Sequence, residues 1–330
     1  MLELREISKR FSKQSDFADK LTRRLLKTPP PPTVHALDKV TLDIKPGEVL
    51  GLVGESGCGK STLGRIVAGI NDPSDGTLRW EGKDIGAMTR PERRQINLAV
   101  QMIFQDPFSS LNPRKRVKDS IGEAPLAHGM ITRAEQADYV DDLLRQVGLD
   151  PGAKDRYPHQ FSGGQRARIG IARALAVKPR FLVCDESVAA LDVSIQAQVI
   201  NLFMALRDQL SLTYLFISHD LGVVEHLSDR VAIMYLGRVV EVAPTDQLYG
   251  NPAHPYTQAL LAEAPRISLE PRGYATIKGE IPSPLAPPPG CHFHPRCPMA
   301  GPRCSREKPA LRPLSAGRLI ACHLTDGGVS

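Results

Sequence analysis

Apolar positions along the chain follow two rhythms. In the first, short runs are apolar on both faces: Val49-Leu50-Gly51-Leu52-Val53, Phe181-Leu182-Val183-Cys184, and Leu212 to Ile217. Runs of this length predict buried strands. Leu2, Leu4 and Ile7 begin another strand, with imperfect alternation. Further strands are predicted over Val34 to Ile44, Gly76 to Trp80, and near Arg230 to Tyr235 and Arg238 to Val242. A strand at Met102-Ile103-Phe104-Gln105-Asp106 is expected to break at Pro107. The second rhythm is helical. It predicts helices over Ser61 to Gly69, across much of Pro113 to Tyr157, from Phe161 to about Val177, from Ser194 onward, and over His254 to Glu263. Within the second of these, Ile121, Leu143, Leu144 and Val147 are the expected core positions. Strands alternating with helices predict an α/β fold with a mainly parallel, covered sheet.

Two stretches depart from this alternation. Residues Ser12 to Pro32 read as an insertion. In it Phe17, Leu21 and Leu25 fall at helical spacing among Lys20, Arg23, Arg24 and Lys27, and four prolines follow. A basic amphipathic helix of this kind touches lipid headgroups or a partner, or simply covers a local apolar patch. After Pro244 the chain turns rich in proline, glycine and cysteine. This predicts a small accessory region shaped by local clips rather than by a large core.

Composition adds a few bounds. The chain has 330 residues, 42% of them hydrophobic and 24% charged, with a formal net charge of +6. That is the balance of a globular protein, and the mild positive charge is no argument for a nucleic-acid partner. No apolar run is long enough to span a bilayer, and the N-terminal segment lacks the apolar core of a signal peptide. The expected place is therefore the cytosol, with any membrane role exerted through partners.

Chemistry enters after the run Val49–Val53. Gly54-Glu55-Ser56-Gly57-Cys58-Gly59-Lys60-Ser61, followed by Thr62, is the phosphate-loop pattern G-x-x-x-x-G-K-S/T. Glycines let successive backbone N–H groups curl around phosphate oxygens. Lys60 offers a point charge to the outer phosphates, and Ser61 a hydroxyl for Mg²⁺. A strand before and a helix after aim a helix N-terminus at the phosphates. A nucleoside triphosphate site is the expectation. Phe161-Ser162-Gly163-Gly164-Gln165 opens a helix with further N–H and hydroxyl donors, which reads as a second anion site or as an N-cap box. Asp185 and Glu186 end an apolar strand.

In this order the segments resemble an ATP-binding-cassette ATPase over about residues 1 to 250, with a P-loop, RecA-like fold. The resemblance implies a signature motif at Phe161 to Gln165 (Phe stands where Leu is usual) and a Walker B pair at Asp185 and Glu186. Asp185 would hold Mg²⁺ and Glu186 would act as general base on water. Gln105 matches the Q-loop glutamine that touches Mg²⁺, and His219 the switch histidine at the γ-phosphate. Asp192 matches the D-loop aspartate. Phe11 is the candidate to stack on adenine, with a core position as its alternative. The implied inserted helical subdomain covers about residues 90 to 177 and would grip membrane permeases. The implied dimer sandwiches two ATP molecules, each signature motif facing the other subunit's nucleotide.

The match extends further. GESGCGKSTLGR, IFQDPFSSLNPR, ALDVSIQAQVINLF, MYLGRVVE, NPAHPYTQALL and GCHFHPRCPMAGPRC are similar to the oligopeptide/dipeptide permease ATPases, F-type subunit. This implies a subunit of a peptide importer at the cytoplasmic face of the inner membrane. Its implied partners are a D-type sister ATPase, two permeases and an extracytoplasmic solute-binding protein. The same machine could carry nickel, glutathione or another small solute. Ser187 stands where the family usually has Pro after the catalytic Glu, which loosens the turn while keeping the carboxylate.

The second expected domain, residues 251–330, holds Cys291, Cys297, Cys304 and Cys322, with His292, His294 and His323 beside them. Four thiols in a reducing compartment suggest a metal before disulfides. Without a C-x₂-C knuckle, iron–sulfur and Zn²⁺ both stand as readings, beside free structural thiols. The family resemblance favours a 4Fe–4S cluster.

Overall fold

The structure is a computed structural model that describes residues 1–12, 32–106, 111–263 and 279–325. The basic helix expected around Phe17, Leu21 and Leu25, and the strand-ending Pro107, lie outside the described residues.

The three short apolar runs form β3 (Val49–Val53), β7 (Phe181–Asp185) and β8 (Thr213–Ile217), buried at every position. With β6 (Val100–Ile103) and β9 (Arg230–Tyr235) they make a parallel array in the order β9-β3-β8-β7-β6. Alternate residues of each strand enter different cores. Leu50, Leu52, Phe181, Val183, Leu215 and Ile217 face one apolar cluster. Val49, Val53, Leu182, Cys184, Tyr214 and Phe216 face the other. Full coverage of both faces is why these runs carry no polar alternation.

The first cluster is roofed by a second sheet. It consists of β1 (Leu2–Ser12), β2 (Thr33–Ile44), β4 (Asp75–Trp80) and β5 (Lys83–Asp84) in the order β2-β1-β4-β5, antiparallel throughout. Leu2, Leu4, Ile7, Leu37 and Val40 point inward from it. The expectation of one mainly parallel sheet is thus half of the architecture. The imperfect alternation of β1 has a structural cause in register shifts between Leu4, Ile7, Lys9 and Arg10.

Between the two sheets runs α1 (Lys60–Val67), with Leu63, Ile66 and Val67 buried. Next comes α2 (Arg90–Ala99), which apolar periodicity does not reveal because Ile96 is its one buried residue. Its T-x-x-E signal is present, however, as a capping box of Thr89 and Glu92. On the other face lie α3 (Val117–Ala127), α4 (Gln136–Gln146) and α5 (Gly163–Leu175). Ile121, Leu143, Leu144 and Val147 are buried there as expected. Then α6 (Val193–Leu210) and α7 (Leu221–Leu227) cover the central strands. α7 rests directly on Gly51, where an added Cβ would come within 2.5 Å of Val224 Cγ1.

Past Pro244 the structure departs from the picture of a locally clipped appendage. α8 (Thr245–Gly250) and α9 (Pro255–Glu263) are followed by β11 (Arg312–Ser315) and β12 (Arg318–Ile320). β12 pairs with β10 (Arg238–Pro244), which pairs with β9, so the main sheet continues into the C-terminal region. Phe293 and Tyr256 belong to the larger core. Glu241, 1% exposed, accepts from Arg318 Nη2 at 3.0 Å and from the backbone N–H groups of Ala253 and His254 at 3.0 and 2.9 Å.

Candidate functional site

The phosphate loop leaves β3 at Gly54, whose missing side chain is required by packing. A Cβ there would sit 2.1 Å from the backbone oxygen of Met234 on β9. Gly59, at φ +107, starts α1 in a conformation that L side chains rarely adopt. Lys60 is 5% exposed and folds back over the loop. Its Nζ donates to the carbonyls of Gly54 at 2.6 Å and Glu55 at 3.0 Å. Cys58 is buried, and burial pushes its thiol pKa up.

Three strand ends bring the other groups to this loop. β7 presents Asp185, and Ser61 Oγ donates to its Oδ1 at 2.9 Å. Burial, reinforced by the adjacent Glu186, raises the Asp185 pKa against the Ser61 bond. Glu186 follows at φ +48, a left-handed backbone for a non-glycine residue. Its N–H donates to the Ile217 carbonyl at 2.9 Å, which pins it to the end of β8. Gln105, beyond β6, donates from Nε2 to Glu186 Oε2 at 2.6 Å. His219, beyond β8, has Nδ1 3.4 Å from Glu186 Oε1. One carboxylate is thus held from two sides by the residues expected to act with it. His219 does not cap α7; Asp220 does, accepting from Gly222 and Val223 N–H. The turn that Ser187 was expected to loosen is closed by Ala189 N–H donating to the Glu186 carbonyl at 3.1 Å.

The cavity over the loop is lined by Ser56, Gly57, Gly59, Lys60, Ser61, Thr62, Gln105 and Glu186, joined by Val34, Ala36 and Pro284. Phe11 is not among its lining residues. It pairs across the ladder with Val34, is 42% exposed, and carries Lys9 Nζ 5.1 Å from its ring centroid. Oxygen donors dominate around Ser61 and Asp185, the donor set that Mg²⁺ takes. A buried carboxylate whose pKa is raised beside a second carboxylate fits a cation there.

Ser162, Gly163, Gly164, Gln165 and Asp192 do not line this cavity. They form a separate cluster. Ser162 and Gln165 make a reciprocal capping box at the start of α5, with bonds of 3.3 and 3.1 Å. Gly164 lies against Ile195, where a Cβ would approach Cγ2 to 2.4 Å. Asp192 is exposed at the start of α6. The capping-box reading is met by this geometry, and Ser162 and Gln165 are exposed at the helix start.

The expected iron–sulfur or zinc site is corrected. Among the described residues, no group of three or more His, Cys, Asp or Glu side chains could hold a metal ion. The cysteines are free. Cys291 and Cys297 pack on the main core, and burial raises their thiol pKa values, with Cys322 pushed up to about 11. Ring nitrogens of the neighbouring histidines engage backbone carbonyls instead: His292 that of Leu236, His294 that of Cys291, and His323 that of Glu307.

Comparison with known proteins places this geometry. The profile described as ABC transporter matches residues 37–189, and that described as oligopeptide/dipeptide transporter, C-terminal region, matches residues 240–304. The oligopeptide transport ATP-binding protein AppF of Bacillus subtilis is 48% identical over 98% of this chain and 97% of its own length. The chain belongs to the ABC transporter ATPases, in the oligopeptide/dipeptide group. The di/tripeptide transport ATP-binding protein DppF of Pseudomonas aeruginosa is 50% identical, covering 88% of this chain and 90% of its own. The cassette protein cbiO1 of Clostridium perfringens, part of the complex cbiONQ, superposes with a TM-score of 0.61 at 27% identity, over 76% of this chain and 90% of its own. A dimeric cassette bound to ADP and Pi shares the fold, with a TM-score of 0.62 at 24% identity, over 74% of this chain and 99% of its own. The chain is an ABC ATPase, and no helix among the described residues is long and apolar enough to cross a membrane.

Proposed function

We propose that the chain is the ATP-hydrolysing subunit of a bacterial importer for di- or oligopeptides. The observation that carries this reading is one carboxylate, Glu186, held by Gln105 and His219 beside Lys60, Ser61 and Asp185, in a chain whose full-length relatives are named for peptide transport. The loop N–H groups from Gly59 to Thr62, at the start of α1, and the Lys60 ammonium bind the β- and γ-phosphates. Ser61, Asp185 and Gln105 would hold Mg²⁺, which when bound neutralises charge on the phosphates. Glu186 accepts the proton of the attacking water, and His219 orients that water toward the γ-phosphate. Phe11, which pairs across the ladder with the cavity-lining Val34, supplies an aromatic face to adenine.

The second cluster completes the site of another subunit. Ser162, Gly163, Gly164 and Gln165 offer an open helix start to the γ-phosphate held by a D-type sister ATPase, and Asp192 crosses the same interface. ATP closes the heterodimer; hydrolysis reopens it and drives two permeases, which receive peptide from an extracytoplasmic binding protein. The helices within residues 90–177 form the subdomain that meets the permeases. Residues 1–250 are the ATPase domain and 251–330 its C-terminal companion. The chain works at the cytoplasmic face of the inner membrane, as a peripheral subunit.

Co-purification from native membranes tests this. Two permeases and a sister ATPase, identified by mass spectrometry, are the expected partners, with peptide-stimulated ATP hydrolysis after reconstitution. A chain recovered without permeases would overturn the transport reading.

A further inference from the structure

Glu55, the first variable residue of the phosphate loop, is held from the far end of the chain. Arg296 donates from Nη1 to Glu55 Oε2 at 2.7 Å and from Nη2 to Oε1 at 3.0 Å. This is the two-pronged geometry in which a guanidinium matches a carboxylate and an ammonium does not. Arg296 is 9% exposed, and its Nη1 also lies 3.4 Å from Tyr235 Oη on β9. The backbone of Glu55 is held as well. Its N–H donates to Tyr256 Oη at 3.0 Å, and its carbonyl accepts from Lys60 Nζ at 3.0 Å. Behind these contacts the rings of Tyr235, Tyr256 and Phe293 meet at centroid distances of 4.7, 5.2 and 5.3 Å. All three are buried. Glu55 is therefore held by the C-terminal region at its side chain, through Arg296, and at its N–H, through Tyr256, while Lys60 of the loop itself holds its carbonyl.

We propose that Arg296 and Tyr256 are positioning residues for nucleotide binding. They fix the path of the phosphate loop before ATP arrives, so that the C-terminal region sets the affinity for ATP. The proposal rests on the ATPase assignment above. The physical reason lies in Lys60. Its ammonium spends donors on the carbonyls of Gly54 and Glu55, so the position of Glu55 decides where that charge points. A loop already ordered gives up less binding free energy to ordering when the phosphates enter. The same region also reaches the cavity directly: Pro284 lines it, and its carbonyl accepts from His35 N–H at 2.9 Å.

The test uses the full chain and ATP, with KM, kcat and melting temperature measured on each variant. Arg296→Met is expected to raise KM for ATP about tenfold while kcat stays within about twofold. Arg296→Lys should recover part of that loss. Tyr256→Phe keeps the ring and removes only the hydroxyl, so it reads the loop even where an Arg296 variant folds poorly; about a threefold rise in KM is expected. Glu55→Gln combined with Arg296→Met should cost little more than either alone, because both remove one contact. Lys60→Ala separates the two levels of the argument. If Lys60→Ala abolishes ATP binding while the Arg296, Tyr256 and Glu55 variants keep KM unchanged, positioning is refuted and the ATPase reading stands, whatever happens to the melting temperature. If Lys60→Ala binds ATP normally, the nucleotide-site reading itself falls and takes the proposal with it.

Discussion

Glu186 shows how much one position carries. Its φ of +48 is a conformation that costs a non-glycine residue free energy, and such outliers persist where surrounding contacts over-determine them. Here those contacts are the Ile217 carbonyl on its N–H and Gln105 and His219 on its carboxylate. Glu186→Gln keeps the shape and removes the base. Phosphate release should fall by about 10²- to 10⁴-fold while ATP still binds and holds the dimer closed, as read by gel filtration. Equal turnover in that variant would remove Glu186 from the role of base. Gly54 makes a different point. Gly54→Ala places a methyl against the backbone oxygen of Met234, which cannot swing aside as a side chain does. Loss of ATP binding is expected in equilibrium titration, and undiminished affinity would show that the loop tolerates a shift.

At the scale of elements, strand ends converge on one edge of the parallel array. β3 delivers the phosphate loop, β7 delivers Asp185 and Glu186, β6 leads to Gln105 and β8 to His219. Parallel neighbours place their C-terminal ends side by side, so residues far apart in the chain meet without any local signal. The C-terminal hairpin is tied to this sheet through Arg318 and Glu241. Arg318→Met leaves the buried Glu241 carboxylate with only two backbone donors. A loss on the order of 3 kcal/mol is expected in denaturant unfolding, toward the low end for a broken buried pair because those donors remain. A loss below about 0.5 kcal/mol would mean the carboxylate finds water.

At the scale of the molecule, one buried histidine records how the C-terminal region is packed. His254 is 1% exposed and accepts from Tyr256 N–H through Nδ1. Burial lowers its pKa to about 4, despite the nearby Glu241. The unfolded chain takes up a proton near pH 6.5, whereas the folded chain resists it until about pH 4. Stability from this site is therefore complete above about pH 6.5 and is lost as the pH falls through 4. Melting temperature should drop less steeply over that window in His254→Asn than in the native chain. Parallel curves would place the acid sensitivity elsewhere.

What the sequence determined by itself follows from local physics. Continuous apolar runs marked β3, β7 and β8 within a residue, because strands covered on both faces exclude polar side chains. The glycine spacing of the phosphate loop marked its chemistry, because few backbones other than a phosphate cradle need it. Asp185 and Glu186 were legible as the end of an apolar run, and α2 could have been found from Thr89 and Glu92. Only the tertiary structure decided the rest. The antiparallel sheet depends on pairing between strands that local alternation cannot assign. Proximity of four cysteines in sequence suggested a metal, but among the described residues the fold gathers no group of three or more His, Cys, Asp or Glu side chains that could hold one. Most of all, nothing near Glu55 in the chain announces Arg296, 241 residues away. Contacts of that separation are set by how two sheets and a C-terminal region close on each other, which no local pattern encodes.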